Sequence, residues 1–360
     1  MAIKSKRILL ITSEFPPLPG GIGNHAFLLS KYLQKANYKV SVLTDHRSVK
    51  EDDNFDVKQE FNVARIKRNY FTYLNRFKRA FSSVKRNDVI ISSGKFSLWI
   101  GAVLKLFFKQ KKYVAVLHGS EIKAGNKIVQ KLTKWSLSQF DNLIAVSNFT
   151  KEYALTVESS YKIDVINNGI EINSIVEKRI PKREINLVTV GNVTYRKGQQ
   201  NVIKALPLLK EHFPTIHYHC IGISTEQEAF SALAKNLNVE EEITFYGKLD
   251  DLDKNQLLKN ATIFIMLSDI VKNDFEGFGI AILEANSFGL PAIGSNNSGI
   301  SDAIKNNFSG KLVNPHNIEE ILDAVKSILE SYDSFSSNAI NWAQQFKWEN
   351  VIKKYKEIIS

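Results

Sequence analysis

The chain has 360 residues, 44% of them apolar, a net charge of +11 and a single cysteine. Its length exceeds the roughly 250–300 residues at which one hydrophobic core usually stops growing, so two domains are predicted and a disordered or fibrous chain is disfavoured. The lone Cys220 excludes a disulfide framework and a Cys-cluster metal site, and it fits a reducing compartment.

The positive charge lies in one half of the chain. Residues 1–180 carry 30 Lys and Arg against 15 Asp and Glu, whereas residues 181–360 carry 18 against 22. Such an asymmetry suggests an interaction surface for nucleic acid, an anionic membrane or an anionic substrate, and a solvated basic face is the alternative. No recognition-helix, RNA-binding or zinc pattern accompanies the charge, so nucleic acid is disfavoured.

Short apolar runs alternate with helix-length segments along both halves. The first run, residues 8–12, is too short for a signal peptide and is predicted to be a strand. The predicted strands are 7–12, 39–44, 63–67, 88–92, 113–117, 142–146 and 163–166, then 186–190, 216–221, 243–245, 263–267, 291–294 and 311–313. This alternation predicts βαβ units and parallel sheets covered on both faces. The pattern restarts near residue 185, after a charged segment with Pro181 that is the predicted linker.

Two predicted helices have strongly apolar surfaces. The run 96–108 contains Lys105 and is shorter than the roughly 18–20 residues of a membrane-spanning helix, so a helix buried against a sheet is predicted. Segment 70–84 is predicted to be a basic amphipathic helix, which fits an anionic membrane surface or a face that covers a core. Its predicted apolar stripe is Tyr70, Leu74, Phe77, Phe81 and Val84, and its predicted polar side holds Arg76, Lys78, Arg79, Lys85 and Arg86.

A glycine-rich loop, TSEFPPLPGGIGNHA, follows the first strand. Gly21, Gly23 and Ala26 match the dinucleotide pattern G-x-G-x-x-A, and Asp45 closes the second strand where such enzymes keep a ribose-binding acid. That pattern needs its first glycine directly after the strand, but residues 13–19, with three prolines, intervene here. The loop therefore favours a large ligand with anionic groups beside a helix N-terminus, with an NAD site as the alternative.

Two motifs in the second half also point to a phosphate ligand. GNVTYRKGQQNVIKAL, at 191–206, sets Arg196 and Lys197 between a strand and a helix, at the sheet edge where such folds bind ligands. EGFGIAILEA, at 276–285, opens a helix whose glycines leave backbone amides free for a diphosphate. Its carboxylates, Glu276 and Glu284, would repel phosphate unless they face another part of the ligand. Sugar hydroxyls, which can donate hydrogen bonds to them, fit that role. A basic surface turn and two solvated carboxylates are the alternatives.

The order of these motifs resembles the family-4 retaining glycosyltransferases of the GT-B type. The resemblance rests on E-G-F-G-x-x-x-x-E, the strand–RKG–helix before it, and EANSFGLPAIGSNNSGISDAI and SGKLVNP after it. In the first half it rests on EFPPLPGGIG, LHGSE, AVSNFTKE and VINNGIE. The terminal FKWENVIKKYKEII resembles the family's closing helix. The likeness spans nearly the whole chain.

The resemblance implies an α/β fold of two Rossmann-like, doubly wound parallel-sheet domains that face a central cleft. Residues 1–178 are expected to form an acceptor-binding domain, 185–340 a nucleotide-sugar donor-binding domain, and 341–360 a helix that crosses back to the first domain. The expected enzyme is a hexosyltransferase that moves a sugar, with retention, from a UDP- or GDP-sugar to a saccharide acceptor, lipid-linked, in glycan, lipopolysaccharide or capsule assembly. An NAD-dependent oxidoreductase and a nucleotide-sugar epimerase on the same fold are the alternatives.

The resemblance also implies roles for particular residues. Arg196 and Lys197 are expected to hold the diphosphate, and Glu284 the ribose. The full donor-binding set is Gly21, Arg196, Lys197, Phe278, Gly279 and Glu284, and the expected catalytic residues are Glu276 and His118. Cations and amides at the diphosphate would stabilise the charge that it gains as it leaves. The family usually has Arg where this chain has Asn192, and Arg196 is the candidate replacement.

No metal or other cofactor is expected. Asp251 and Asp253 form the D-x-D pattern with which some glycosyltransferases hold a cation, but a helix follows that an Asp would cap. His217 and His219 alternate on a strand, an arrangement more typical of packing than of metal binding. The expected location is cytoplasmic, with peripheral contact between the basic half and the inner face of the membrane.

Overall fold

The computed structural model describes residues 5–18, 20–122, 125–172 and 184–360. Contacts divide the chain into two units. The first unit comprises Met1–Gly169 with Trp348–Ser360, and the second comprises Ile170–Lys347. The predicted linker falls largely on 173–183, including Pro181, which lie outside the described residues.

The first unit is built on a seven-stranded parallel sheet with the order β3-β2-β1-β4-β5-β6-β7. Its strands are β1 Arg7–Thr12, β2 Lys39–Asp45, β3 Asn62–Ile66, β4 Val89–Ser93, β5 Lys112–Leu117, β6 Asn142–Ala145 and β7 Ile163–Val165. In register, Ile8 pairs with Val40 on one side and Val89 on the other. Ile8, Leu9 and Leu10 are all buried, as expected for a parallel strand covered on both faces.

Helices cover this sheet between the strands. They are α1 Gly21–Lys35, α2 Val49–Asp56, α3 Thr72–Val84, α4 Lys95–Phe107, α5 Lys127–Leu137 and α6 Asn148–Leu155. Helix α4 is the predicted buried apolar helix, and the indole of Trp99 on it donates a hydrogen bond to Thr133 on α5. Among the described residues, no helix has both the length and the apolar character needed to cross a bilayer.

The predicted faces of helix α3 are wrong in two respects. Tyr70 lies before the helix and is fully exposed, and Leu74 is half exposed, whereas the sequence pattern predicts both on the apolar stripe. Arg76, assigned to the polar side, is 2% exposed and forms an ion pair with the buried Asp45 at the end of β2. A buried carboxylate needs a charged or hydrogen-bonded partner, and this requirement outweighs the helical pattern.

The second unit is built on a six-stranded parallel sheet with the order β10-β9-β8-β11-β12-β13. Its strands are β8 Asn186–Val190, β9 His217–Ile221, β10 Ile243–Gly247, β11 Ile263–Met266, β12 Ala292–Ser295 and β13 Gly310–Val313. Its helices are α7 Gln199–His212, α8 Gln227–Asn236, α9 Asp251–Asn260, α10 Ile280–Ser287, α11 Ile300–Ala303, α12 Ile318–Glu330 and α13 Tyr332–Gln345. The predicted α/β fold class is confirmed, and every predicted strand is present.

The last helix, α14 at Trp348–Ile359, packs within the first unit. The Trp348 ring stacks on Tyr32 of α1 with ring centroids 5.7 Å apart. Tyr355 shares a hydrogen bond of 3.0 Å with buried His25 of α1. A Cβ atom on Gly169 would lie 2.9 Å from the Trp348 ring, so this close contact requires glycine. Through these contacts the end of the chain helps to complete the core around α1.

Candidate active site

The loop after β8 fixes two cations at the carboxyl edge of the second unit's sheet. Arg196 and Lys197 lie in a short 3₁₀ turn that Thr194 caps, and α7 starts immediately after Gly198. Gly198 has a φ of 82°, and a Cβ atom there would overlap the Leu267 carbonyl oxygen at the end of β11. The loop can lie this close to β11 only because this residue is glycine.

Both cations pair with the carboxylate of Glu276. Its Oε2 atom is 2.7 Å from Nη1 of Arg196 and 2.8 Å from Nζ of Lys197, and Nε of Arg196 lies 3.2 Å from Asp274. The Glu276 side chain is only 13% exposed. Burial alone raises the pKa of Glu276, but Lys197 and Arg196 outweigh burial and lower the pKa to about 2. Glu276 is therefore ionised at neutral pH.

The start of α10 adds backbone donors to this edge. Gly279 is the N-cap, with a φ of 90°, and Phe278 before it is buried. The backbone amides of these two residues have no acceptor within the described ranges. The amide of Gly299 donates to the Glu276 carbonyl oxygen at 2.9 Å and so holds the preceding loop in place. Free amides at a helix N-terminus suit an anion.

Glu284 lies one turn into α10 and is half buried. Burial raises the pKa of this carboxyl, and the cation of Lys254 partly opposes the rise. Lys197 also lowers its pKa, which shows that Glu284 and the Lys197 cation act on each other. The second unit thus brings together the side chains of Arg196, Lys197, Glu276 and Glu284 that the sequence predicted.

His118 and Gly21 lie in the first unit. His118 follows β5, is 9% exposed and has Nε2 2.9 Å from Oγ of Ser93. Its backbone amide donates to the buried carboxylate of Glu121 at 2.6 Å. Burial lowers the pKa of His118 to about 4, so its imidazole is neutral at pH 7. A neutral imidazole can both donate and accept hydrogen bonds.

Gly21 is the first residue of α1 and is exposed. A Cβ atom at Gly21 would meet nothing within 4 Å, whereas one at Gly23 would come within 3.2 Å of the Phe15 backbone. A side chain at position 23 would therefore crowd the Phe15 backbone, whereas position 21 has room for one.

Sequence reasoning missed one neighbour of His118. His25 is buried, with its ring centroid 5.2 Å from that of His118. Burial, followed by the charge of His118, lowers the pKa of His25 well below its ordinary value. A single histidine in the glycine loop carries no pattern of its own, and only the fold shows that it packs against His118.

The two possible metal motifs have other partners. The α9 cap is Asp250, which accepts a hydrogen bond from the Asp253 amide at 2.9 Å, while Asp251 pairs with Lys254 at 2.7 Å. His219 is hydrogen-bonded on both ring nitrogens, and His217 is bonded to Thr244. Within the described ranges, no group of three or more His, Cys, Asp or Glu side chains is placed to hold a metal ion.

Comparison with known proteins identifies the class of enzyme. The family described as Glycosyl transferases group 1 matches residues 171–345, and the family described as Glycosyltransferase Family 4 matches residues 19–174. The two parallel-sheet units and these matches define a GT-B glycosyltransferase. The chain belongs to the family-4 glycosyltransferases, as the resemblance of its motifs predicted.

Individual relatives agree with this assignment. An uncharacterized glycosyltransferase of Methanocaldococcus jannaschii is 26% identical, covering 97% of this chain and 96% of the relative. A GDP-mannose-dependent phosphatidylinositol monomannoside mannosyltransferase of Mycobacterium tuberculosis is 21% identical, covering 98% of both. The crystal structure of Anabaena HepE with UDP and glucose superposes with a TM-score of 0.79 at 18% identity, covering 98% of each chain. At this identity the likeness shows a shared fold alone.

These findings leave the NAD-dependent alternative without support. Asp45, the residue that would bind the ribose in that reading, is instead paired with Arg76.

Proposed function

We propose that the protein is a retaining glycosyltransferase that moves a sugar from a nucleoside diphosphate sugar to a saccharide acceptor carried on a lipid, in glycan or surface polysaccharide assembly. The observation that carries the proposal is the convergence of Arg196 and Lys197 on Glu276, next to the free amides of Phe278 and Gly279. Cations and amides of this kind bind a diphosphate and stabilise the charge that it gains when it leaves.

In the proposed reaction, the bond between the sugar's anomeric carbon and the diphosphate oxygen breaks, and a bond to the acceptor oxygen forms on the same face. The acceptor hydroxyl passes its proton to the departing diphosphate oxygen, so no protein nucleophile is required. Glu276, ionised at neutral pH, would accept hydrogen bonds from the transferred sugar, and Glu284 from the ribose. His118, neutral at pH 7, would hydrogen-bond a sugar hydroxyl. We expect no metal requirement.

The relatives support a UDP- or GDP-sugar donor. HepE was crystallised with UDP and glucose, and the mycobacterial relative is named for GDP-mannose and a phosphatidylinositol mannoside acceptor. The nucleotide can be identified by a thermal-shift screen against UDP-, GDP- and ADP-sugars, since a ligand at 100 times its Kd stabilises a protein by about 2.7 kcal/mol. Wild-type turnover in both Glu276→Gln and Lys197→Ala would overturn the assignment.

A lipid-linked acceptor requires contact with a membrane, and helix α5 offers a surface for it. Ile128, Leu132 and Trp135 lie on one face of α5 and are 76%, 38% and 37% exposed. Lys127 and Lys131 lie on the same short helix. An exposed apolar stripe with lysines beside it suits an anionic leaflet, and we propose that this helix rests on the inner face of the cytoplasmic membrane.

Vesicle binding tests the membrane contact. The wild type is expected to sediment with phosphatidylglycerol vesicles at low salt. It should not sediment with them at high salt, nor with vesicles of neutral lipid. Ile128→Ser should weaken the binding, whereas Leu252→Ser, at an 82% exposed position of the second unit, should not. Equal binding to neutral and anionic vesicles would contradict the proposal.

A further inference from the structure

The first unit contains a cavity of about 530 Å³ at the carboxyl edge of its sheet. Residues that follow β1, β2, β4 and β5 line this cavity, which we call the unit-1 pocket. Four cationic side chains line it: Arg47, Arg68, Arg76 and Lys95.

Arg76 is a buried arginine with one side of its guanidinium unused. Its Nε and Nη2 atoms donate to the two carboxylate oxygens of Asp45, which fixes the plane of the fork. Its Nη1 atom is buried and has no hydrogen-bond partner within the described residues. Buried arginine donors are normally satisfied, and Arg76 lines the pocket, so its unpartnered Nη1 calls for an acceptor from a ligand.

The other cations are open to a ligand as well. Neither Arg68 nor Lys95 forms an ion pair within the described parts of the chain. Arg47 is close enough to Glu14 to oppose the rise that burial causes in the pKa of that carboxyl. These three side chains are exposed or half exposed, so they can move toward a bound anion at low cost.

Three carboxylates, Glu14, Asp45 and Glu121, line the pocket beside the four cations, so the cations outnumber the carboxylates by one. Asp45 is fully used by Arg76, and one oxygen of Glu121 accepts the His118 amide. The other oxygen of Glu121 is buried without a partner. Burial raises the pKa of Glu121 and of Glu14 above the usual range of a carboxyl. These oxygens suit hydroxyl groups, while the arginines suit an anion.

An aromatic wall completes the pocket. The rings of Tyr73 and Phe96 lie 4.8 Å apart, and both residues line the cavity. The guanidinium of Arg76 is 5.9 Å from the centroid of the Tyr73 ring. Binding sites commonly combine apolar walls with a few convergent polar groups, and an aromatic face beside hydroxyl-binding carboxyls fits a sugar ring.

We infer that the unit-1 pocket recognises the acceptor through an anionic group, a carboxylate or a phosphate carried on a sugar, and that Arg76 is the residue that selects for it. The identification of this ligand as the acceptor rests on the proposed function. Arg76 would supply a fixed donor to one anion oxygen, and Arg68 and Lys95 would supply mobile charge around it. A planar guanidinium gives this contact a geometry that a lysine ammonium cannot reproduce.

Three monosaccharides that differ only at C6 test the inference: glucose, glucuronic acid and glucose 6-phosphate. Binding is measured by NMR on the full chain with labelled isoleucine methyls, because Ile22 lines the pocket. The two acidic sugars are expected to shift the Ile22 methyl with a Kd at least tenfold below that of glucose. Equal affinities for the three sugars would overturn the inference, and so would inorganic phosphate binding as tightly as glucose 6-phosphate.

Variants separate recognition from general charge. Arg76→Lys keeps the charge and should lower the preference for the acidic sugars at least threefold. Arg68→Gln with Lys95→Gln alters only accessible side chains and should do the same, which keeps the test valid if Arg76→Lys fails to fold. Lys78→Gln, an exposed change on α3 outside the pocket lining, is the matched control and should have no effect. An equal loss in the control would contradict the assignment.

The same spectra distinguish failure of this inference from failure of the proposed function. Ile280, at the start of α10, should respond to UDP or GDP. If the acidic sugars bind preferentially but no nucleotide shifts Ile280, the transferase proposal fails while the anion preference stands. If a nucleotide binds and the sugars show no preference, the transferase proposal stands and the acceptor class is wrong.

Discussion

Replacing Glu276 with glutamine should separate nucleotide binding from turnover. In the structure, Lys197 already binds Glu276 at 2.8 Å, so a phosphate oxygen bound to the same ammonium at a similar distance lies at most about 5.6 Å from the carboxylate. At an effective dielectric constant of about 20, two unit charges at that separation repel by about 3 kcal/mol. Glu276→Gln removes this repulsion and frees both cations for the diphosphate.

Solvent and salt screen part of that repulsion, because the cations are 15% and 28% exposed, and the freed side chains lose some positioning. We therefore expect the Kd of UDP or GDP to fall about tenfold, or about 1.4 kcal/mol, while sugar transfer is nearly abolished. Lys197→Met should have the opposite effect on binding, raising the Kd at least tenfold, since it removes a charge-assisted hydrogen bond worth about 1.5–3 kcal/mol.

Isothermal titration calorimetry with UDP and GDP measures both effects, and product analysis by mass spectrometry measures transfer. Glu211→Gln and Lys204→Met are the controls, because both alter exposed side chains of α7 by the same charge. Weaker nucleotide binding in Glu276→Gln would refute the competition between the carboxylate and the diphosphate. Unchanged binding in Lys197→Met would refute the role of the cation.

Three further changes have clear expected outcomes. Gly198→Ala should lower Tm by several degrees, because the left-handed conformation costs a Cβ-bearing residue about 1–2 kcal/mol before the clash with β11 is counted. Gly21→Ala should leave Tm unchanged or raised, because a Cβ atom there meets no neighbour. A loss of activity in Gly21→Ala would therefore indicate a ligand contact. His118 has a pKa of about 4 in the fold against about 6.5 in the unfolded chain, so the unfolded chain binds more protons between these values. The free energy of unfolding should therefore fall by up to about 3 kcal/mol as pH drops from 6.5 to 4. In urea denaturation, His118→Asn should make the free energy of unfolding less dependent on pH over that window, and an unchanged dependence would contradict the assignment. Asp250→Ala should cost about 1 kcal/mol by loss of the α9 cap, and Asp251→Ala much less in the same denaturation assay; the reverse order would contradict the cap geometry.

The strands and the second-unit site could be predicted from sequence because their signals are local. Apolar runs between turn residues identify buried parallel strands, and β1 and β8 have their predicted bounds. Arg196 and Lys197 lie in the loop that follows β8, and Glu276 lies in the loop between β11 and α10. Both loops leave the carboxyl ends of neighbouring parallel strands, which meet at one sheet edge. Their proximity follows from that topology.

The ion pair of Arg76 and Asp45 could not be predicted in the same way. The two residues are 31 positions apart, and the helical pattern of α3 alone assigns Arg76 to solvent. Only the order of β1, β2 and β3 brings the end of β2 under α3. The pairing holds Arg76, one of the cations of the basic half, in the lining of the unit-1 pocket and not on a solvated face. Part of the net positive charge therefore lies at a proposed binding site.

Calorimetric titration of the wild type and Lys197→Met with UDP- and GDP-sugars tests the central claim most directly. At least one of these donors is expected to bind the wild type, and its Kd should rise at least tenfold in Lys197→Met and stay unchanged in Lys204→Met. No binding of any donor to the wild type, or equal binding to the wild type and Lys197→Met, would contradict it.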